Sequence, residues 1–65
     1  MKILVNSEPH DIDATTLAEA LSELGYTGPA LATALNGQFV ARDQRSIQPL
    51  AAGDRIEVLA PMQGG

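Results

Sequence analysis

The residues that end the sequence are those whose types and spacing point most directly to chemistry. The chain finishes with Pro61, Met62, Gln63, Gly64 and Gly65, so two consecutive glycines stand beside a carboxyl group. Glycine has no Cβ atom and adopts backbone angles that other residues avoid, so such a pair suits a narrow channel in a partner protein. The carboxyl carbon of Gly65 would be the reacting atom, and Gly64 would give the partner steric access to it.

The three residues before the glycines also have roles in this hypothesis. Pro61 cannot donate to a sheet ladder and favours extended backbone before it, so we expect it to end the last strand. Met62 is flexible and Gln63 offers amide hydrogen bonds, so both suit a partner's groove. We therefore predict a folded domain over residues 1–60 and a flexible tail over residues 61–65. Small residues are also common in chain ends that have no function.

Other side chains that could do chemistry lack the neighbours that the chemistry needs. His10 is the only histidine and the chain has no cysteine, so we expect no metal-ligand set. No Ser-His-Asp pattern and no phosphate-binding loop is present. Four carboxylates have no base or nucleophile beside them and are interpreted as solvated: Asp11, Asp13, Glu19 and Glu23. We predict that the chain is not an enzyme and binds no cofactor itself.

Length and charge exclude further classes of protein. The chain has 65 residues, enough for one small domain, and eight acidic residues against four basic ones give a net charge of -4. Binding to nucleic acid is therefore not expected, whereas a basic protein partner is favoured. Three arginines are interrupted by aspartates and are interpreted as a solvated face: Arg42, Arg45 and Arg55.

The compartment is predicted from what the sequence lacks. The apolar run near the first residue is far shorter than the roughly 20 residues of a membrane span, and it is too short for the core of a signal peptide. Without cysteine, nothing indicates an oxidising compartment. We expect a cytoplasmic protein that makes no contact with membranes.

The elements that must position the tail begin with a hairpin and a helix. Ile3 and Val5 alternate in a β-branched run that turn formers close, and residues 10–14 are predicted to pair back. The residues expected on one side of this second arm are His10, Ile12 and Ala14. A helix of about ten residues follows, and its apolar stripe is Leu17, Ala20, Leu21 and Leu24. Thr16 and Glu19 fit a capping box, and Gly25 is typical of a helix end.

The second half of the chain predicts another hairpin and a last strand. Asn36 and Gly37 are a strong tight-turn signal between two short apolar runs. Residues 42–50 are polar and irregular, and residues 52–54 turn the chain into the last strand. In that strand two residues face the core and three face outward: Ile56 and Val58, then Arg55, Glu57 and Leu59. An outward Leu59 beside the tail would be an apolar docking contact for a partner.

This order of elements predicts the fold class. A hairpin, a helix, a second hairpin and a last strand make an α+β roll, in which a single helix covers one face of a mixed sheet. We expect about four to five strands packed on one main helix. The order matches a β-grasp roll.

Several parts of the chain carry a resemblance to a known family: residues 3–6, residues 34–40 followed by Arg42, then Leu50, residues 53–57, and the chain end, residues 63–65. Through them the whole chain resembles the ThiS sulfur carrier proteins of thiamine biosynthesis, which are ubiquitin-like β-grasp domains. Two positions depart from the family's pattern, which often has proline at the position of Ala41 and tryptophan at that of Arg45.

The resemblance implies a mechanism centred on Gly65. An E1-like adenylyltransferase of the ThiF type would use ATP and magnesium to convert the Gly65 carboxylate into an acyl adenylate. Sulfur would then replace AMP, and the thiocarboxylate would donate its sulfur to a thiazole synthase of the ThiG type. The chain would be a co-substrate, because all the catalytic groups can belong to its partners.

Four other functions compete with this one. The small subunit of molybdopterin synthase is a Gly-Gly β-grasp sulfur carrier too, although those chains tend to be longer. A ubiquitin-like modifier would join Gly65 to a partner's lysine through an isopeptide bond, and a pure interaction domain would use the same surface without chemistry. A stand-alone enzyme would turn over substrate without partners, which the lack of a catalytic constellation argues against.

Overall fold

Two hairpins, separated by a helix and followed by one long strand, make up the chain. The computed structural model describes residues 1–28 and 30–60. Its elements are β1 (Lys2–Val5), β2 (Glu8–Asp11), α1 (Leu17–Glu23), β3 (Ala32–Leu35), β4 (Gln38–Val40), a 3-10 helix (Arg42–Gln44) and β5 (Arg55–Leu59). This order agrees with the one that the sequence predicts.

The last strand occupies the middle of the sheet. The strand order is β2-β1-β5-β3-β4, with β5 parallel to β1 and antiparallel to β3. Val58 lies opposite Thr33 on one side, and Ile56 lies opposite Val5 on the other. This central strand has neighbours on both sides, and in the sequence only Ala60 separates its last residue from residues 61–65.

One face of the sheet packs against α1 and forms the core. Alternation in β1 and β5 buries every second side chain, as predicted, so that Ile3 and Ile56 are only 2% and 1% exposed. The helix contributes the residues of its predicted stripe up to Leu21, while Leu24 is half-buried at its edge. The core cluster is Ile3, Val5, Ile12, Ala14, Leu17, Ala20, Leu21, Leu35, Val40, Ile56 and Val58.

The helix is shorter than predicted, with seven residues in place of about ten. Thr16 is its N-cap, and the Glu19 N–H donates to Thr16 Oγ1 over 3.2 Å, as the capping signal predicts. Gly25 has φ +89, and the N–H of Tyr26 donates to the Leu21 carbonyl over 2.8 Å. This hydrogen bond is typical of a Schellman C-cap, so the helix ends as soon as the left-handed residue is reached.

The first hairpin closes two residues earlier than predicted. Asn6 and Ser7 form the whole turn, with φ of 49 and 72, so β2 covers Glu8–Asp11 and not residues 10–14. Pro9 lies in β2 opposite Leu4, at the edge of the sheet, where proline is tolerated. The predicted alternation still extends past the strand, since Ile12 and Ala14 are buried.

The interpretation of three arginines as a solvated face is wrong for Arg45. Arg42 and Arg55 are exposed, but Arg45 is only 8% exposed. Its Nε donates to Thr33 Oγ1 over 3.0 Å, and its Nη2 donates to the Leu31 carbonyl. The 3-10 turn brings this side chain back over β3, where its polar atoms find neutral acceptors and its stem is covered.

Candidate functional site

The tail predicted to carry the chemistry lies outside the described residues. This applies to Pro61, Met62, Gln63, Gly64 and Gly65, and the boundary between the predicted domain and tail also falls there. What the structure describes is the surface from which the tail starts. That surface is the end of β5 and its neighbours in the sheet.

Leu59 points away from the helix, as predicted, and its side chain is 72% exposed. It lies opposite Ala32 of β3, and Ala34 follows two residues later on the same face of that strand. Ala34 lies opposite Phe39 of β4, which is also 72% exposed. Ala32, Ala34, Phe39 and Leu59 thus form one continuous surface on the open face of the sheet, here called the apolar patch.

Two exposed large side chains joined by small ones are a surface that a partner can cover. The side chains of Ala32 and Ala34 are small, so the surface between Leu59 and Phe39 is low. A flat or slightly convex apolar surface of a partner would fit there. The patch is bordered by charge, because Glu57 lies opposite Ala34 on the same face of β5. Sequence reasoning found Leu59 and missed Phe39. Alternation with the apolar Val40 could have predicted that Phe39 faces outward. The sequence does not show that β3 pairs with β5, so it could not have placed Phe39 near Leu59.

A shallow depression lies at the β1 side of β5. It is lined by Leu4, Asn6, Ser7, Arg55, Ile56 and Glu57. One cation, one carboxylate and one hydroxyl are too few for a catalytic set, and the described residues include no cluster of three or more groups that could hold a metal ion.

The carboxylates of the helix stabilise the backbone and have no neighbour for acid-base chemistry. Glu19 accepts hydrogen bonds at Oε1 from the Thr15 N–H over 3.1 Å and from Thr15 Oγ1 over 3.0 Å. The Thr15 backbone hydrogen bond is the main cause that lowers the pKa of Glu19 below its ordinary value of 4.5. Glu23 accepts from the N–H groups of Asp13 and Ala14 in the same way. Because the lowered pKa of Glu19 favours its ionised form, that carboxylate is unsuited to act as a general acid near neutral pH.

Comparison with known proteins gives one consistent result. A model of the ThiS family matches residues 3–65. The chain is 36% identical over 63 residues to the sulfur carrier protein ThiS of Thermus thermophilus. The aligned region covers 97% of this chain and 98% of that protein. In addition, within residues 1–28 and 30–60 no helix is long and apolar enough to cross a membrane.

Solved structures of similar proteins have the same fold. The crystal structure of the thiamine biosynthesis protein ThiS from Geobacter metallireducens matches with a TM-score of 0.83 at 29% identity, over 100% of both chains. A solution structure of a thiamine biosynthesis protein from that organism gives 0.81 at 30% identity, over 100% of this chain and 88% of the other. The α+β prediction is thereby confirmed, and the fold is the ubiquitin-like β-grasp roll.

Proposed function

The chain belongs to the ThiS family, and we propose that it is a sulfur carrier protein of thiamine biosynthesis whose working group is the carboxyl group of Gly65. The supporting observation is that the central strand β5 ends at Leu59, so that only Ala60 separates it in the sequence from the predicted Gly-Gly tail. An exposed apolar residue, Leu59, stands two residues before Pro61. A docking surface and a reacting group are thus combined in a chain of 65 residues.

The proposed chemistry begins with activation of the carboxylate. A ThiF-type adenylyltransferase binds ATP and magnesium, and a Gly65 carboxylate oxygen attacks the α-phosphorus while pyrophosphate leaves. The acyl adenylate has a good leaving group, which the free carboxylate lacks, so a sulfur nucleophile then displaces AMP at the carbonyl carbon. The resulting thiocarboxylate transfers its sulfur to a ThiG-type thiazole synthase. ATP and magnesium belong to the activating partner, and this chain binds no cofactor.

The described surface suits a co-substrate better than a catalyst. The apolar patch gives a partner two large anchors, Phe39 and Leu59, on a rigid sheet, and such anchors dominate the energy of many interfaces. A net charge of -4 would draw the chain toward a basic docking region and speed the encounter. Met62 and Gln63 would then enter a groove of the partner while the two glycines pass its narrowest part. We expect this to happen in the cytoplasm.

The function is tested by intact mass spectrometry. The protein is incubated with a ThiF-type enzyme, ATP, magnesium and hydrosulfide, and thiazole synthase with its substrates is then added. We expect a mass gain equal to the replacement of one oxygen by sulfur, mapped to Gly65, and its loss when thiazole forms. Omission of ATP is the control, because no leaving group can form without it.

Other outcomes of this experiment identify the competing functions. The thiocarboxylate could form and yet not be consumed by thiazole synthase. If the large subunit of molybdopterin synthase consumes it instead, the chain is a sulfur carrier for molybdopterin synthesis. A Gly-Gly remnant on lysines of other proteins would identify a protein modifier. Failure of every E1-like enzyme to activate the chain would refute a carrier and leave an interaction domain.

A further inference from the structure

One side chain takes the place of a missing strand beside the end of β5. Strand β1 runs parallel to β5 and pairs with it through Leu4 and Val5. The Asn6 N–H still donates to the Ile56 carbonyl over 2.9 Å, but at this point the chain turns away into β2. The backbone groups of β5 beyond Ile56 would then lack a neighbour on this side.

The amide group of Asn6 fills that gap. The Val58 N–H donates to Asn6 Oδ1 over 2.8 Å, and Asn6 Nδ2 donates to the Val58 carbonyl over 3.2 Å. These two contacts, one accepted and one donated, replace those that the backbone of a longer β1 would make with Val58. Both backbone groups of Val58 are therefore bonded to Asn6, while its neighbours Glu57 and Leu59 are the residues of β5 that face Ala34 and Ala32 of β3 in the hydrogen-bonded positions.

The backbone at Asn6 is arranged for this contact. Asn6 has φ 49, in the left-handed region that asparagine tolerates better than most residues. This conformation belongs to the tight turn and lets the short side chain reach across to β5. A longer or branched side chain would lose either the turn or the pair of hydrogen bonds.

We propose that Asn6 is a positioning residue that fixes the end of β5 and so sets the direction in which the tail leaves the sheet. The inference rests on the proposed function, since the tail must place Gly65 in a partner's active site while the apolar patch is docked. Loss of the Asn6 contact leaves Leu59 paired with Ala32 in the patch and removes the support of β5 on its β1 side, just before the tail. Small losses of alignment at a reacting group reduce the rate more than the affinity.

The chain offers a matched control at the other end of the same strand. Asn36 also lies at the first position of a tight turn, with φ 51. Its Oδ1 accepts from the Arg55 N–H over 2.9 Å, and its Nδ2 donates to Asp54 Oδ1 over 3.0 Å. Asn36 thus holds the start of β5 as Asn6 holds its end. The same substitution at the two sites removes similar contacts, but only one of them adjoins the tail.

The test compares Asn6→Gly with Asn36→Gly, because glycine keeps the left-handed turn and removes only the amide. We expect similar losses of stability in denaturant. In Asn6→Gly alone, amide exchange at Val58 should rise about tenfold, because its N–H loses its acceptor. The kcat of thiocarboxylate formation should fall about tenfold, with the KM for the carrier changed less than about threefold. If Asn6→Gly fails to fold, Asn6→Asp keeps an acceptor for the Val58 N–H and should show the same effects at smaller size.

The results separate the inference from the function on which it rests. Unchanged amide exchange in the Asn6 variant, or an equal fall in kcat in the Asn36 variant, would overturn the positioning role while the carrier function stands. If the wild-type chain itself is never activated, the proposed function fails. The exchange rates would then still decide whether Asn6 fixes the strand end.

Discussion

The Nε atom of Arg45 donates to the hydroxyl oxygen of Thr33 over 3.0 Å, and the Thr33 hydroxyl donates in turn to the Val40 carbonyl over 2.9 Å. All three residues are buried. One side chain thereby joins the segment after the 3-10 helix to both strands of the second hairpin. This network holds β4, and with it Phe39, in place on the sheet.

Removal of the Arg45 guanidinium tests this network. Arg45→Met keeps much of the stem but leaves the Leu31 carbonyl without its donor. We expect the free energy of unfolding to fall by about 1–3 kcal/mol, because the part-buried Leu31 carbonyl and the buried Thr33 hydroxyl each lose a donor. Arg42→Met, at an exposed site, should change it by less than about 0.5 kcal/mol. Urea denaturation measures both, and equal effects would contradict the network.

The other departure from the family's pattern gives a prediction of opposite sign. Ala41 has φ -66 and ψ 155, and φ near this value is the one that the proline ring imposes. Within the described residues its N–H donates no turn or loop hydrogen bond to the backbone. Ala41→Pro should therefore raise stability by about 0.4–1 kcal/mol through the unfolded state. Ala51→Pro should lower it, because the Ala51 N–H donates to Asp54 Oδ2 over 2.8 Å. Thermal unfolding of the two variants checks the contrast.

The features that the sequence predicts are those that depend on neighbours along the chain. Alternation placed Ile56 and Val58 inside and Leu59 outside, and the Asn36-Gly37 pair located a hairpin, because strand period and turn geometry are local. The burial of Arg45 depends on a strand twelve residues away, so its charge alone pointed to the wrong environment. The apolar patch likewise requires the order β5-β3-β4, which no local signal contains.

Acid should destabilise the protein through Glu19. Its pKa is lowered in the folded state, first by the Thr15 backbone hydrogen bond, so the ionised form favours folding. This contribution is fully present above the ordinary value of 4.5 and is lost as pH falls through the lowered pKa. Glu19→Gln should flatten the dependence of unfolding free energy on pH below that value. Glu8→Gln, at an exposed residue of β2, should leave it unchanged, and an equal flattening by both would contradict the assignment.

The apolar patch predicts that one exposed hydrophobic residue matters for partner binding and another does not. Leu59→Asp puts a charge where a partner would cover the surface, so the KM for the carrier should rise about tenfold or more in the activation reaction. Ile47 is 68% exposed but lies in the segment after the 3-10 helix, outside the patch. Ile47→Asp should leave KM within about twofold, since an isolated surface residue needs no partner. Equal KM values for the two variants would remove the patch as the docking site.

The tail itself predicts a loss of chemistry without a loss of fold. Deletion of Gly65 moves the carboxylate one residue back, and Gly64→Leu adds bulk where the chain must pass a narrow channel, so both should abolish thiocarboxylate formation. The core cluster is built entirely from residues before Ala60, so circular dichroism and the unfolding midpoint should match the wild type. Gln63→Ala changes the tail without adding bulk and should retain most of the activity. Normal activation of Gly64→Leu would mean that the partner binds the carboxylate without passing the glycines through a narrow channel. Unfolding of the Gly65 deletion variant would mean that the tail stabilises the domain.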